Sequence, residues 1–80
     1  MKTSPDQLVF MLIETGILDL GTQKALAQKM KRSESTIGNW RIGKTAMPAA
    51  DFLMLFSWYR DDSLVASMFE EVLHEGFDSM

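Results

Sequence analysis

A short segment in the first half of the chain carries the residues best suited to chemical recognition. It reads TQKALAQKMKRSESTIGNW, from Thr22 to Trp40, and places small hydroxyl and amide side chains among lysines and arginines. Hydroxyl and amide groups can hydrogen-bond to the edges of DNA bases, and an asparagine can form two such bonds with adenine. Basic side chains beside them can bind phosphate oxygens. The segment therefore favours recognition of a nucleic acid.

The charges of the chain are divided between two regions. From Thr22 to Pro48, six basic residues stand against one acid, Glu34, which gives this region a charge of +5. The remainder holds two basic residues and ten acids, so the formal net charge of -3 conceals the division. Such asymmetry is typical of proteins that recognise a partner through one surface. The alternative is that the basic residues form an ordinary solvated surface.

Length and composition exclude several classes of protein. Eighty residues predict one domain, residues 1–80, near the size at which a single core gives little stability, so association is expected. Cysteine is absent and His74 is the single histidine, which excludes a zinc finger and a cysteine nucleophile. No nucleophile and base pair or glycine-rich phosphate loop appears. We therefore expect no enzymatic activity, cofactor, metal or small-molecule substrate.

The apolar segments are too short for export or for a membrane span. Leu8 to Ile13 ends at Glu14 without a cleavage site, and Ala46 to Tyr59 is interrupted by Pro48 and Asp51. We expect a soluble, cytoplasmic globule.

Capping residues and glycines predict five helices. Ser4, Thr22 and Ser33 can cap helix starts, while Gly16 and Gly43 can end helices. No strand-like alternation competes, so the predicted fold class is a compact all-α domain. The predicted helices span about Pro5 to Thr15, Gln23 to Met30, Glu34 to Arg41, Pro48 to Tyr59 and Ser63 to Glu75.

The second and third predicted helices fit a helix-turn-helix. In that motif one helix crosses the DNA backbone and braces a second helix whose outer face enters the major groove. Close crossing needs a small residue on the first helix, provided by Ala27, and a bulky inward residue on the second, provided by Ile37. Leu26, Met30 and Trp40 complete this predicted buried wedge, with Trp40 in the core rather than stacked on a base.

The outward face of the third helix would then contact DNA. With about 100° per residue, Ser35 and Asn39 lie opposite Ile37, and Thr36 and Gly38 flank them. Gly38 costs about 1 kcal/mol inside a helix, which indicates close approach by DNA or by a neighbouring helix. Ser35, Thr36, Asn39 and Glu34 are the predicted base-reading residues, and Gln23, Arg32, Arg41 and Lys44 the predicted phosphate contacts. Alternatively, Ser33 and Glu34 serve as helix cap and dipole partner, and the others are plain surface.

The segment QKALAQKMKRSESTIGNWRIGKTAMPA resembles the helix-turn-helix of lambda-repressor-like regulators of the Cro/CI type, in particular bacteriophage CI-type repressor domains. The resemblance covers about Asp6 to Tyr59. It rests on Gln23, the Leu26-Ala27 pair, the run from Ser33 to Ile37, Trp40, Met47-Pro48-Ala49 and the earlier LIETG from Leu12 to Gly16.

The resemblance implies a dimeric phage or prophage repressor that reads operator half-sites in double-stranded DNA through the helix of residues 34–41. It assigns DNA binding to Gln23, Arg32, Ser33, Glu34, Ser35, Thr36, Asn39 and Arg41. One position departs from the family, because Lys31 stands where the turn usually has glycine. Lys31 would cost about 1–2 kcal/mol in a left-handed conformation, unless the turn is reshaped.

Residues 48–80 offer more apolar surface than a small reader needs. We expect a two-fold dimer contact there, formed by Phe52, Phe56, Met68, Phe69 and Val72, although both helices could instead simply close the monomer core. The acids of this end should face away from DNA. The alternative function is a protein-binding module, such as an antirepressor or a partner-sequestering relative that keeps the fold.

Overall fold

The computed structural model describes residues 4–78, with side chains as far as His74, and contains five helices in this part of the chain. They are α1 (Pro5–Leu20), α2 (Gln23–Met30), α3 (Glu34–Arg41), α4 (Ala49–Tyr59) and α5 (Ser63–Asp78). The all-α prediction is therefore confirmed for these residues. No helix within them combines the length and apolar character needed to cross a membrane.

The predicted starts of the first three helices are confirmed by hydrogen bonds, whereas α4 begins at Ala49, one residue after the predicted start at Pro48. The Ser4 hydroxyl accepts from the Gln7 amide at 3.2 Å, and the Gln7 side chain accepts from the Ser4 amide at 2.8 Å, which together make a capping box. The hydroxyls of Thr22 and Ser33 cap α2 and α3 by accepting from the amides of Ala25 and Thr36. Because these signals are local, the sequence predicts both ends of α2 and α3 correctly.

The predicted end of the first helix at Thr15 is wrong. Helix α1 continues through Gly16 to Leu20 and ends at Gly21, whose φ of 98° suits glycine. Gly16 is needed for a different reason. A β-carbon there would lie 2.8 Å from one terminal carbon of Leu26 and 3.0 Å from the other, so α1 and α2 approach closely at this point.

The core surrounds α1, which packs against each of the other four helices. The residues that are almost fully buried come from every helix and comprise Leu8, Leu12, Ile13, Leu26, Ile37, Leu55 and Val65. The predicted wedge is confirmed, since Ala27, Met30 and Trp40 are also buried. A firm core under α2 and α3 fixes the outward face of α3.

Helix α4 is less buried than its composition predicts. Leu53 is 64% exposed, whereas Asp51 in the first turn is buried. Along α5, Val65 is buried but Leu64 and Leu73 are exposed, so the predicted apolar stripe is only partly covered. Helix α5 also continues past Gly76, where the sequence predicts its end.

The hydrogen bond of Tyr59 makes the stability of the folded protein depend on pH in the alkaline range. Its hydroxyl donates to the Asp19 carboxylate at 3.0 Å. Burial, together with the hydrogen bond and the charge of Asp19, raises the pKa of Tyr59 to about 12. Since the unfolded pKa is about 10, the folded state holds the proton more tightly, and this stabilisation is complete below pH 10 and lost as the pH rises toward 12.

We expect Tyr59→Phe to be less stable by about 1 kcal/mol at neutral pH, because it loses the hydrogen bond. The difference in unfolding free energy between the two proteins should shrink between pH 10 and 12, since only the parent has this phenol to ionise. Urea unfolding at several pH values measures it. A difference that stays constant across that range would contradict the assignment.

Candidate nucleic-acid interface

The turn between α2 and α3 keeps the left-handed conformation despite its lysine. Lys31 has φ 60° and ψ 41°. Its amide donates to the Gln28 carbonyl at 3.2 Å, and the Arg32 amide donates to the Ala27 carbonyl at 2.9 Å. These two bonds make a Schellman motif, in which the left-handed position normally holds glycine. The turn is therefore not reshaped, and Lys31 bears the conformational cost.

Lys31→Gly should raise the unfolding free energy by about 1 kcal/mol, because glycine adopts this conformation without steric cost. Chemical denaturation of the two proteins tests this. Gly43, which also has positive φ at 76°, supplies the reverse control, since Gly43→Lys should destabilise the protein. A loss of stability in Lys31→Gly would mean that the lysine side chain stabilises the fold by more than its left-handed backbone conformation destabilises it.

The outward face of α3 forms one wall of a shallow groove of about 560 Å³. Ser35 is exposed and Asn39 is half-buried, and both side chains lie along this groove. The residues that line it are Gln23, Glu34, Ser35, Gly38, Asn39 and Ile42. Three of the residues predicted to read bases thus share one open surface. Among them, Ser35 and Asn39 have no side-chain hydrogen bond to another described residue.

Gly38 lies beside a side chain of the neighbouring helix α2. A β-carbon at this position would meet the amide nitrogen of Gln23 at 3.2 Å, closer than an ordinary van der Waals contact. That nitrogen donates to the Glu34 carbonyl, so the Gln23 side chain would have to shift by a few tenths of an ångström. The contact with α2 is looser than the one at Gly16, and close approach of DNA to Gly38 stays a prediction.

A polar clamp joins α1, α2 and α3. Gln23 donates to the main-chain carbonyl of Glu34 at 3.2 Å and accepts from the Arg41 guanidinium at 3.2 Å. Arg41 also forms an ion pair with Glu14 and lies over the ring of Phe10 at 6.0 Å. Gln23 and Arg41, which the sequence assigns to phosphates, are thus held by internal partners. Their positions fix α3 relative to α2.

Arg32 is also held internally. Its Nε donates to one oxygen of Asp51 at 3.2 Å, and its Nη2 donates to the other oxygen at 3.0 Å. The Asp51 side chain is 4% exposed and that of Arg32 is 47% exposed. A buried carboxylate needs such a partner, because an unpaired charge in the interior is costly. Arg32 therefore connects the turn before α3 to the start of α4.

Ser33 and Thr36 form the cap of α3. Their hydroxyl oxygens lie 2.7 Å apart, and the Ser33 oxygen also accepts from the Thr36 amide at 3.1 Å. The capping role that the sequence offers as an alternative for Ser33 is thus present. Thr36 is half-buried, which leaves less of it for an outside partner than Ser35 presents.

Three lysines of the basic region are exposed and have no ion pair with another described residue: Lys24, Lys31 and the predicted phosphate contact Lys44. Lys29 instead lies over the ring of Trp58, 4.4 Å from its centre. With Arg32 and Arg41 paired, the positive charge available to a partner comes mainly from lysines. Lys44 follows α3, in a loop whose amides donate to the Asn39 carbonyl.

The sequence prediction missed one residue of the groove. Ile42 directly follows α3 and is 75% exposed, yet it lies beside Ser35 and Asn39 in the groove lining. Ile42 follows Ser35 by seven residues and Asn39 by three, and residues with these spacings lie on one face of a helix. This spacing could have identified Ile42 from the sequence.

Comparison of the chain with known protein families, curated proteins and solved structures gives no match.

Proposed function

We propose that this protein is a sequence-specific regulator of transcription that binds double-stranded DNA with α3 in the major groove. The observation that carries the proposal is the groove in which Ser35 and Asn39 lie together beside Gly38. Asparagine can hydrogen-bond adenine through two bonds, and serine can meet either type of base pair. A phage or prophage repressor of the Cro/CI type is the specific form that the sequence resemblance supports.

The glycine on the outward face of α3 supports this proposal. Gly38 lines the groove, and the one side-chain atom near its β-carbon position is the amide nitrogen of Gln23 at 3.2 Å. Glycine is unfavourable inside a helix by about 1 kcal/mol. A partner that approaches the backbone of α3 closely accounts for it. A base edge in the major groove is such a partner.

The charges also agree with DNA as the partner. Lys24, Lys31 and Lys44 are exposed within a region of local charge +5, in a chain whose net charge is -3. Basic residues near DNA release counterions from the phosphates on binding. The acids Glu70 and Glu71 lie on α5, which we assign to a surface away from DNA.

We propose that the protein binds as a homodimer through α4 and α5. The predicted contact residues Phe52, Phe56, Met68, Phe69 and Val72 are half-buried. The rings of Phe56 and Phe69 already pack together with centres 4.4 Å apart. Leu53, Leu64 and Leu73 remain exposed, so this end keeps apolar surface that a second copy would cover. Sedimentation at tens of micromolar tests the proposal, and a monomer at that concentration would contradict it.

A fluorescence titration on duplexes selected from a randomised pool tests DNA binding. The Asn39→Ala variant should bind the selected duplex about tenfold more weakly than the parent protein, because it lacks a base contact. Its affinity for unrelated duplexes should be unchanged. Lys44→Ala should weaken binding to all duplexes alike and reduce the slope of log affinity against log salt by about 1 for each subunit bound.

Gln28→Ala is the matched control for Asn39→Ala, since Gln28 is an exposed amide side chain on α2 that does not line the groove. It should bind DNA as the parent does. If the pool yields no preferred duplex, or if Asn39→Ala retains the full preference, α3 is not a reader of sequence. Binding of a protein partner with little dependence on salt would then favour the protein-binding module.

A further inference from the structure

Ile42 places a large apolar side chain in an otherwise polar groove. Its amide donates to the Gly38 carbonyl at 3.2 Å, so the backbone still follows the helix at this point, with φ -92° and ψ 1°. The side chain is 75% exposed and lines the groove with Asn39 and Gly38. Nothing within the described fold covers it. An apolar group on the partner would gain from contact with it.

The major groove of DNA offers one such group, the 5-methyl of thymine. Ile42 follows Asn39 by three residues, which is about 4.5 Å along a helix axis. Successive bases of one strand are separated by about 3.4 Å. Two side chains spaced in this way on one helix face can therefore meet neighbouring base pairs.

We infer that Ile42 reads the 5-methyl group of a thymine one base step from the adenine that Asn39 binds. This inference rests on the proposed function, and it adds a specificity determinant with different chemistry. The hydrogen bonds of Asn39 distinguish adenine, whereas the contact of Ile42 distinguishes thymine from any base without the methyl group. Together, Asn39 and Ile42 predict an operator in which an adenine and a thymine occupy adjacent base pairs.

Deoxyuridine tests the inference, because it differs from thymidine in the 5-methyl group alone. Each thymine of the duplex selected from the randomised pool is replaced in turn, and affinities are measured by fluorescence titration. One replacement in each half-site should lower the affinity of the parent protein about fourfold, the effect of one buried methyl group. The remaining replacements should have little effect.

Ile42→Ala removes the contact from both half-sites, so it should bind the thymine duplex about sixteenfold more weakly than the parent protein and should bind the thymine and uracil duplexes equally. Leu18→Ala is the matched control, because Leu18 is a similarly exposed side chain at 84% that does not line the groove. It should keep the full preference for thymine. Thermal unfolding of each variant confirms that the fold is retained.

The outcomes separate the two proposals. If no duplex is selected from the pool, both the DNA-binding function and the inference fail. If a duplex is selected and Asn39→Ala loses the preference, but no uracil replacement changes the affinity, the inference alone fails. It also fails alone if Ile42→Ala discriminates thymine from uracil as strongly as the parent does.

Discussion

Replacing Arg32 with alanine should lower the free energy of unfolding by about 2–3 kcal/mol. The substitution leaves the Asp51 carboxylate, which is 4% exposed, without the two hydrogen bonds that Arg32 donates. Removing one partner of a buried ion pair costs about 3–5 kcal/mol. Arg32 is half-exposed, so water can reach its side of the pair and the expected loss is at or just below the lower end of that range. Urea unfolding followed by circular dichroism measures it.

The opposite substitution should be milder. Asp51→Ala leaves Arg32 half-exposed, where water can solvate the guanidinium, so we expect a loss of about 1 kcal/mol. The double variant should be more stable than Arg32→Ala alone, since it no longer buries an unpaired carboxylate. Arg60→Ala, at an exposed site, should change stability by less than about 0.5 kcal/mol. Additive losses in the double variant would show that the pair does not stabilise the fold through charge.

The ion pair of Arg32 with Asp51 makes Arg32→Ala a poor test of phosphate binding. A weaker affinity for DNA in Arg32→Ala would combine loss of a phosphate contact with loss of the folded protein. Lys44 is the better probe of phosphate binding, because it is exposed and has no ion pair with another described residue.

Leu26→Ala should destabilise the protein by about 2–5 kcal/mol, because the leucine is fully buried between α1 and α2 and its removal leaves a cavity. Gly16→Ala should also destabilise the parent, by about 1 kcal/mol. Its new methyl group would lie 2.8 Å from a terminal carbon of Leu26, and the overpacking outweighs the gain in helix propensity.

The sign of the glycine substitution should reverse when the leucine is absent. In the Leu26→Ala background the methyl group that Gly16→Ala introduces enters the cavity, so this substitution should stabilise that protein by about 1 kcal/mol. A double-mutant cycle measured by thermal or urea unfolding tests the coupling. Gly38→Ala should show no coupling to Leu26→Ala, because the two residues do not meet. A destabilising effect of Gly16→Ala in both backgrounds would show that the glycine serves the backbone rather than the packing.

The helix boundaries that depend on local chemistry could be predicted from the sequence. The caps Ser4, Thr22 and Ser33 act within three residues of themselves, so their neighbours suffice to identify them. The end of α1 could not be predicted in this way. Gly16 looks like a helix stop, and only the packing of Leu26 against it, ten residues later in the chain, explains why a glycine occupies this position within the helix.

The roles of the arginines were hidden for the same reason. Counting charges places Arg32 and Arg41 in the basic region. Their partners Asp51 and Glu14 lie in helices that are far away in the sequence, although close in the fold. One clue was present in the sequence, because Asp51 is a lone acid in an apolar helix and such an acid needs a partner if that helix is buried. The four lysines of the basic region, in contrast, are exposed as their type predicts.

The clamp of Gln23 and Arg41 has a consequence for the rate of binding. Since α3 is tied to both α1 and α2 before any partner arrives, its outer face requires little rearrangement on docking, and little affinity is lost to ordering the protein. Encounter with the partner would then proceed at a similar rate for any uncharged side chain at position 39. Substitutions at Asn39 should consequently shorten the lifetime of the bound state rather than slow its formation.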